Sequence, residues 1–174
     1  YFRYQMHLAA QNAIHVHDEV ALEFEHAFGR HYGVIEPYEM EDAEYVLVMA
    51  GSFATKAKAA IRVLRQEGKR VGLVRLRLIR PFPSAAITPI LAGRRGVAVI
   101  DQNISHGLGG ILYHELAGSL INQPNRPVML RSFVGGLGGK NLSLDEFRHV
   151  VDVLESSMLD APPGKLALYP AGSL

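Results

Sequence analysis

Apolar residues in the first part of the chain recur with the period of an α-helix. From Gln5 to Phe28 there is no Gly or Pro, and the apolar positions are Met6, Ala10, Ala13, Ile14, Val20, Phe24 and Phe28. This spacing predicts one amphipathic helix, which Gly29 would end. The next apolar segment, 34–38, contains Pro37 and is predicted to be at most an edge strand.

Beyond Tyr45 the pattern changes to short apolar runs that alternate with segments of helical period. Continuous apolar runs are typical of strands covered on both faces. The predicted strands are 45–50, 71–79, 96–101 and 128–134. The predicted helices are 54–64 with Ser52 as its cap, 84–91, a helix ending near Asn122, and 143–157 with a capping box of Ser143 and Glu146.

The predicted strand 71–79 has one apolar and one charged face, because Leu76 and Leu78 alternate with Arg75 and Arg77. Such a strand is expected near the margin of a sheet. Strands that alternate with helices predict an α/β fold, in which a mostly parallel sheet carries helices on both faces as a three-layer sandwich.

Three regions are expected along the chain. Residues 1–32 form an N-terminal helical segment, 33–159 the α/β domain, and 160–174 a Pro- and Gly-rich tail or linker. Because the sequence opens on Tyr1 and runs directly into a helical pattern, we expect it to be part of a longer polypeptide.

Composition excludes several classes of function. The chain carries 18 Lys and Arg against 17 Asp and Glu, and this balance supplies no strong field for nucleic acid or an anionic membrane. It has no Cys, so disulfides, thiolate metal sites and thiol nucleophiles are excluded from its 174 residues. No apolar run approaches the roughly 20 residues that span a bilayer. We therefore expect a cytoplasmic protein with neither nucleic acid nor membrane as a partner.

Two glycine-rich segments follow predicted strands, but neither matches a nucleotide-binding motif. The third glycine of G-x-G-x-x-G is replaced by Leu112 in the first segment and by Asn141 in the second. A P-loop ending at Gly139 and Lys140 would need a glycine where the chain has Val134. Positive φ angles or close packing of helix on sheet explain the glycines better.

Eight His residues suggest a metal site, but their spacing argues against it. His15 and His17 are two residues apart and face different ways on a helix, whereas a helical metal pair needs a separation of three or four. A surface or interface role is expected for these two and for His26 and His31.

The segment from Asp101 to Gly107 is the richest in reactive groups. Ser105, His106 and Asp101 could be a nucleophile, base and orienting acid. Adjacent loop residues rarely reach that geometry, and the G-x-S-x-G motif of α/β hydrolases is absent. The alternative is a turn whose Asp and Asn side chains bind the backbone and cap the next helix.

Three arginines, Arg75, Arg77 and Arg80, could bind a phosphorylated ligand. No phosphate cradle accompanies them. A solvated face or a subunit contact is therefore the better interpretation.

Taken in order, several segments resemble the C-terminal region of the alpha subunit of pyruvate:ferredoxin (flavodoxin) oxidoreductases. They are Phe28-Gly29-Arg30, Tyr38, Asp42-Ala43-Glu44, the strand leading to Gly51-Ser52, 71–83, 101–107 and 135–139. Their order and spacing make the resemblance specific, and it covers nearly all of the chain before the tail. Related 2-oxoglutarate and branched-chain oxoacid enzymes have a similar domain, but the loop at Asn103, Ile104 and Ser105 is more similar to the pyruvate type.

The resemblance implies a fold like the transketolase C-terminal domain, with five strands in the order 1-3-2-4-5 and the first antiparallel. It also implies an enzyme that decarboxylates a 2-oxoacid on thiamine diphosphate and magnesium. Electrons would pass through 4Fe-4S clusters to ferredoxin or flavodoxin, and the acyl group would pass to coenzyme A.

The G-D-G motif with which that family binds thiamine diphosphate and magnesium is absent from this chain. We therefore expect no catalytic, cofactor-binding or metal-binding residue here, and an isolated chain without activity. Two loops are expected to face a neighbouring domain or subunit, through Asp101, Asn103, Ser105, His106, Gly107, Gly109, Gly110, Gly135, Gly136, Gly138 and Gly139.

Two other functions remain open at the level of sequence. The chain could be a self-sufficient α/β module that binds a small anionic ligand, such as coenzyme A or a nucleotide, at its strand ends. It could also be an interaction scaffold without a ligand.

Overall fold

The structure, a computed structural model, describes residues 1–160 together with Ala167–Leu168. Its helices are α1 (Phe2–Phe28), α2 (Phe53–Gln66), α3 (Ser84–Leu91), α4 (Ile111–Leu120) and α5 (Leu144–Asp160), with a 3₁₀ turn at Leu137–Gly139. Its strands are β1 (Ile35–Tyr38), β2 (Tyr45–Ala50), β3 (Val71–Leu76), β4 (Gly96–Asp101), β5 (Met129–Val134) and β6 (Ala167–Leu168). Each helix and strand that the sequence predicts is present.

The strands form one mixed sheet in the order β1-β3-β2-β4-β5-β6. β1 runs antiparallel to β3, and the other neighbouring pairs are parallel. The predicted order 1-3-2-4-5 with an antiparallel first strand is confirmed. The two-residue β6, which was not predicted, lies beside β5; the rest of the predicted tail after Asp160 lies outside the described residues.

Alternating side chains of the central strands fill two separate cores. In β2, Tyr45, Leu47 and Met49 join the core beneath α2 and α5, while Val46 and Val48 join the core beneath α3 and α4. Because successive residues of a strand point to opposite faces, a strand in this position must be apolar throughout. The predicted three-layer arrangement follows.

The long helix α1 contributes to neither core. Ala21 is its buried residue, and most of its side chains are exposed. Its C-terminal end is anchored by Tyr32, whose ring lies 5.5 Å from that of Phe24 and beneath the guanidinium of Arg77, 4.9 Å away. No helix among the described residues is both long enough and apolar enough to cross a membrane.

The strand predicted over 71–79 ends earlier, at Leu76. The N–H groups of Arg77 and Leu78 both donate to the carbonyl of Val34, at 2.9 and 3.1 Å. Two successive N–H groups on one acceptor take the chain out of the regular ladder with β2. The alternation of Arg and Leu therefore continues in the sequence beyond the end of the strand.

The two predicted helix caps have different outcomes. Ser143 and Glu146 form the predicted capping box, in which each backbone N–H donates to the other side chain. Ser52 makes no capping hydrogen bond, and that prediction is wrong. Its backbone is already helical, with φ −72° and ψ −28°, whereas a capping residue needs an extended conformation.

Candidate functional site

The carboxyl ends of β4 and β5 bring the two predicted loops together. Asp101 is paired with Val134 in the sheet, and the N–H of Gly135 donates to the carbonyl of Asp101 at 2.9 Å. The loop after β4 (102–110) and the loop after β5 (135–139) therefore begin side by side. This is the edge at which open α/β sheets place ligands and contacts.

Asp101 is the buried carboxylate of this edge, with no exposed surface. One oxygen accepts from the backbone N–H of Leu112 at 2.9 Å, and the other accepts from that of Tyr113 at 3.2 Å. The Asn103 amide also donates to it, at 3.2 Å. Burial raises the pKa of Asp101, although these three donors act in the opposite direction. The side chain thus fastens the end of β4 to the start of α4.

Gly110 is required by this arrangement. A Cβ at this position would lie 2.1 Å from an oxygen of Asp101, so any side chain would displace the carboxylate. Ile111 is the first residue of α4, and its N–H donates to the side-chain carbonyl oxygen of Asn103 at 3.3 Å. The predicted turn, in which Asp and Asn side chains bind the backbone and cap a helix, is confirmed.

The rest of the loop closes on itself through its backbone. The N–H of Ser105 donates to the carbonyl of Gly109 at 2.8 Å, and the N–H of Gly109 donates back at 2.9 Å. His106 is exposed at the tip beside Gly107, whose φ is +79°. Within the residues that the structure describes, no hydrogen bond joins Asp101 to Ser105 or His106. The carboxylate is committed to α4, so this loop does not form the nucleophile, base and acid of a hydrolase.

The second loop packs tightly at its start and is open at its tip. A Cβ on Gly136 would lie 2.5 Å from the ring of Phe53, and one on Gly135 would lie 2.8 Å from Leu142. Gly138 and Gly139 have open space beside them and positive φ angles of 63° and 82°. The first two glycines therefore allow close packing within the domain, and the last two shape an exposed turn.

Apolar side chains are exposed around these loops, a feature that the sequence reasoning missed. They follow three of the parallel strands, at the carboxyl edge of the sheet: Ile79 after β3, Ile104 and Leu108 after β4, and Leu137 after β5. We call these four residues the carboxyl-edge patch. The sequence signal that could have predicted this patch was an apolar residue inside each polar or glycine-rich loop, where the local structure does not need an apolar side chain.

The three arginines in and after β3 do not form a simple solvated face. Arg75 and Arg77 lie 3.6 and 2.7 Å from the Glu36 carboxylate, which also receives a hydrogen bond from Lys58. Partial burial raises the pKa of Glu36, but Lys58 and the two arginines outweigh this effect, and the pKa is lowered. Arg80 pairs instead with Glu115, at 2.5 Å. These charges are neutralised within the domain, at least in part.

The histidines near α1 are not arranged around a metal ion. His31 lies 2.8 Å from the carboxylate of Glu25, and His17 lies 3.8 Å from that of Asp18. Across the described part of the chain, no group of three or more His, Asp or Glu side chains is placed to hold a metal.

Comparison with known proteins identifies similar chains. The family model described as pyruvate:ferredoxin oxidoreductase core domain II matches residues 43–147, a range that includes both loops. Pyruvate synthase subunit PorA of Thermotoga maritima is 41% identical over 140 residues, which are 80% of this chain and 36% of that protein. Ketoisovalerate oxidoreductase subunit VorA of Pyrococcus abyssi is 36% identical over 164 residues, with coverages of 91% and 41%. The chain thus spans less than half the length of these relatives.

A solved structure shares the fold. It is 2-oxoglutarate:ferredoxin oxidoreductase from Magnetococcus marinus with 2-oxoglutarate, coenzyme A and succinyl-CoA bound. The TM-score is 0.51 over 78% of this chain and 21% of that chain, at 19% sequence identity.

Proposed function

Since the chain belongs to the family of pyruvate:ferredoxin oxidoreductase core domain II, we propose that it is a structural domain of a 2-oxoacid:ferredoxin or flavodoxin oxidoreductase. Pyruvate is the proposed oxoacid, because the pyruvate synthase subunit of Thermotoga maritima is 41% identical and the loop at 103–105 resembles the pyruvate type. The observation that carries the proposal is the family match across 43–147.

The cofactors of the whole enzyme are assigned to other domains or subunits. Thiamine diphosphate with magnesium, 4Fe-4S clusters and coenzyme A together supply decarboxylation, electron transfer and acyl transfer. The residues of this chain do not fit the clusters or the metal: cluster ligation uses cysteine thiolates, which the sequence lacks, and the Asp101 carboxylate is already hydrogen-bonded to α4. A cytoplasmic location belongs to the same proposal, because cluster thiolates persist in a reducing compartment.

The carboxyl edge of the sheet is the proposed contact with a neighbouring domain or subunit. Its loops are fixed from inside, by Asp101 and by the packing of Gly136 on Phe53, while the carboxyl-edge patch remains exposed. A rigid surface with exposed apolar side chains suits a lasting contact between parts of one enzyme, because little order is lost on association. The loop residues named from the sequence would shape this surface.

The activity is tested with the natural enzyme that contains this chain. Reduction of ferredoxin is measured in the presence of coenzyme A with pyruvate, 2-ketoisovalerate or 2-oxoglutarate as substrate. The proposal predicts reduction that depends on both coenzyme A and an oxoacid, and is fastest with pyruvate. An enzyme that reduces no carrier with any oxoacid would overturn the proposed function.

The contact is tested by placing a charge on the carboxyl-edge patch. Leu108→Asp is expected to reduce the amount of assembled enzyme several-fold, because the proposed contact would desolvate the new carboxylate. Val128→Asp is the matched control: Val128 is also exposed, by 71% against 52% for Leu108, but precedes β5 at the opposite edge of the sheet. Size-exclusion chromatography with light scattering measures assembly. Equal yields of assembled enzyme from both variants would show that the carboxyl edge is not part of the contact.

A further inference from the structure

The helix α1 carries an exposed apolar stripe that the α/β domain does not cover. Its members recur at intervals of three and four residues, and all of them are exposed: Phe2, Met6, Ala9, Ala13, Val16 and Val20. We call these six residues the α1 seam. Residues with this spacing share one side of a helix, so the seam is continuous along most of α1.

A helix of this kind normally depends on a partner. Helices in proteins gain most of their stability from packing of the apolar face rather than from intrinsic propensity. In this chain both cores close without α1, and its C-terminal end alone is anchored, through Phe24 and Tyr32. Within the described residues, 1–160 and 167–168, neither core includes the seam.

We propose that the α1 seam packs against the part of the natural subunit that lies outside this chain. Two of the similar subunits are matched over only 36% and 41% of their own lengths, so more than half of each lies beyond the matched region. The family model for the α/β domain begins at residue 43, after α1. A match over 91% of this chain nevertheless includes part of α1, because the unmatched 9% is shorter than its 27 residues.

Covalent linkage favours this occupant over a second copy of the chain. Connected segments meet at effective concentrations of about the millimolar range, which separate molecules rarely reach. A surface of the same polypeptide is therefore favoured over a second copy as the occupant of the seam.

A membrane surface is a poor alternative for the seam. Helices that lie on anionic lipid carry Lys and Arg on the polar side. Residues 2–28 contain one Arg and no Lys, against four acidic residues: Asp18, Glu19, Glu23 and Glu25. The net charge of α1 with neutral His is therefore negative, and this opposes attraction to such a surface.

The inference rests on the proposed function only in placing this chain within a longer subunit, and it is tested without an activity assay. Hydrogen exchange of the α1 backbone amides is measured by mass spectrometry in the natural full-length subunit and in the 174-residue chain. Amides along the seam are expected to exchange about tenfold or more slowly in the full-length subunit, because covered helices open less often.

Two substitutions on α1 provide a matched comparison in the full-length subunit. Val20→Asp places a charge in the seam, and Leu22→Asp places one on the opposite side of the helix. The two side chains are equally exposed in this chain, at 55% and 53%. Val20→Asp is expected to abolish the slow exchange, and Leu22→Asp to preserve it.

Three results would overturn the inference: equal exchange rates in the two proteins, loss of protection in both variants, or protection in the 174-residue chain that rises with concentration. The last would identify a second copy as the occupant. Protection of α1 in the full-length subunit, together with no oxoacid activity of the assembled natural enzyme, would refute the proposed function alone.

Discussion

At the scale of residues, the buried carboxylate of Asp101 holds the end of β4 to the start of α4. The polar segment after β4 suggested either a reactive group or a capping turn, and the turn is confirmed because the carboxylate binds the N–H groups of Leu112 and Tyr113. A carboxylate at a strand end is not automatically catalytic, because here both of its oxygens are committed to backbone N–H groups. The bonds to Glu36 were beyond sequence reasoning, because only the antiparallel register of β1 on β3 sets Glu36 opposite Arg75.

Removal of the Asp101 carboxylate should destabilise the domain. Asp101→Ala leaves the N–H groups of Leu112 and Tyr113 without their acceptor, at an expected cost of about 2–4 kcal/mol in the free energy of unfolding. Asp145→Ala, at an exposed aspartate in the first turn of α5, is expected to cost less than about 1 kcal/mol. Urea titration of the 174-residue chain measures both changes. Equal costs would contradict the assigned role.

The pH dependence of the Asp101 contribution has a defined sign. Its pKa in the folded chain is raised above the ordinary value of 3.8, chiefly by burial. An acid with a raised folded-state pKa contributes stability that is present below its unfolded-state pKa and is lost as pH rises through the folded value. The difference in unfolding free energy between the natural chain and Asp101→Ala should therefore shrink as pH rises above 3.8.

At the scale of elements, the apolar pattern was sufficient to predict which helices and strands form, but not the residue at which each ends. The order of the strands in the sheet came from the family resemblance. β2 and β4 could be predicted because both of their faces are buried, which requires an unbroken apolar run. β3 stops at Leu76 because the carbonyl of Val34 takes the next two N–H groups, a tertiary event without a local signal. Ser52 shows the same limit, since a suitable residue type does not ensure the backbone conformation that a cap requires.

Ser143 and Ser52 both precede a helix, but only the Ser143 side chain makes a capping hydrogen bond, so the two can be compared directly. Ser143→Ala removes one of the two bonds of the capping box and should lower the free energy of unfolding by about 1 kcal/mol. Ser52→Ala should change it by less than about 0.5 kcal/mol, because the Ser52 side chain makes no capping bond. Thermal or urea unfolding of the two variants measures both. A larger loss from Ser52→Ala would reverse this assignment.

At the scale of the whole molecule, two exposed apolar surfaces support the proposal that this chain packs against other parts of an enzyme. The carboxyl-edge patch and the α1 seam are apolar surfaces on different parts of the chain, and neither is needed to close the two cores. The sequence showed the helix and the loops but not their exposure, because amphipathic spacing alone does not show which surface a helix packs against. Family membership supports the proposal that these surfaces contact other parts of an oxidoreductase, whose cofactors are proposed to lie in other domains or subunits.

Turnover per assembled enzyme distinguishes a domain that provides architecture, as proposed, from one that takes part in the chemistry. Asn103, Ser105 and His106, the polar residues nearest the exposed tip of the loop after β4, are replaced together by Ala in the natural enzyme. The amount of assembled complex is measured first, and kcat for reduction of ferredoxin with pyruvate and coenzyme A is then expressed per complex. We expect an unchanged kcat for an architectural domain, even if less complex forms. A fall of about tenfold or more in kcat with assembly intact would show that this loop takes part in the reaction.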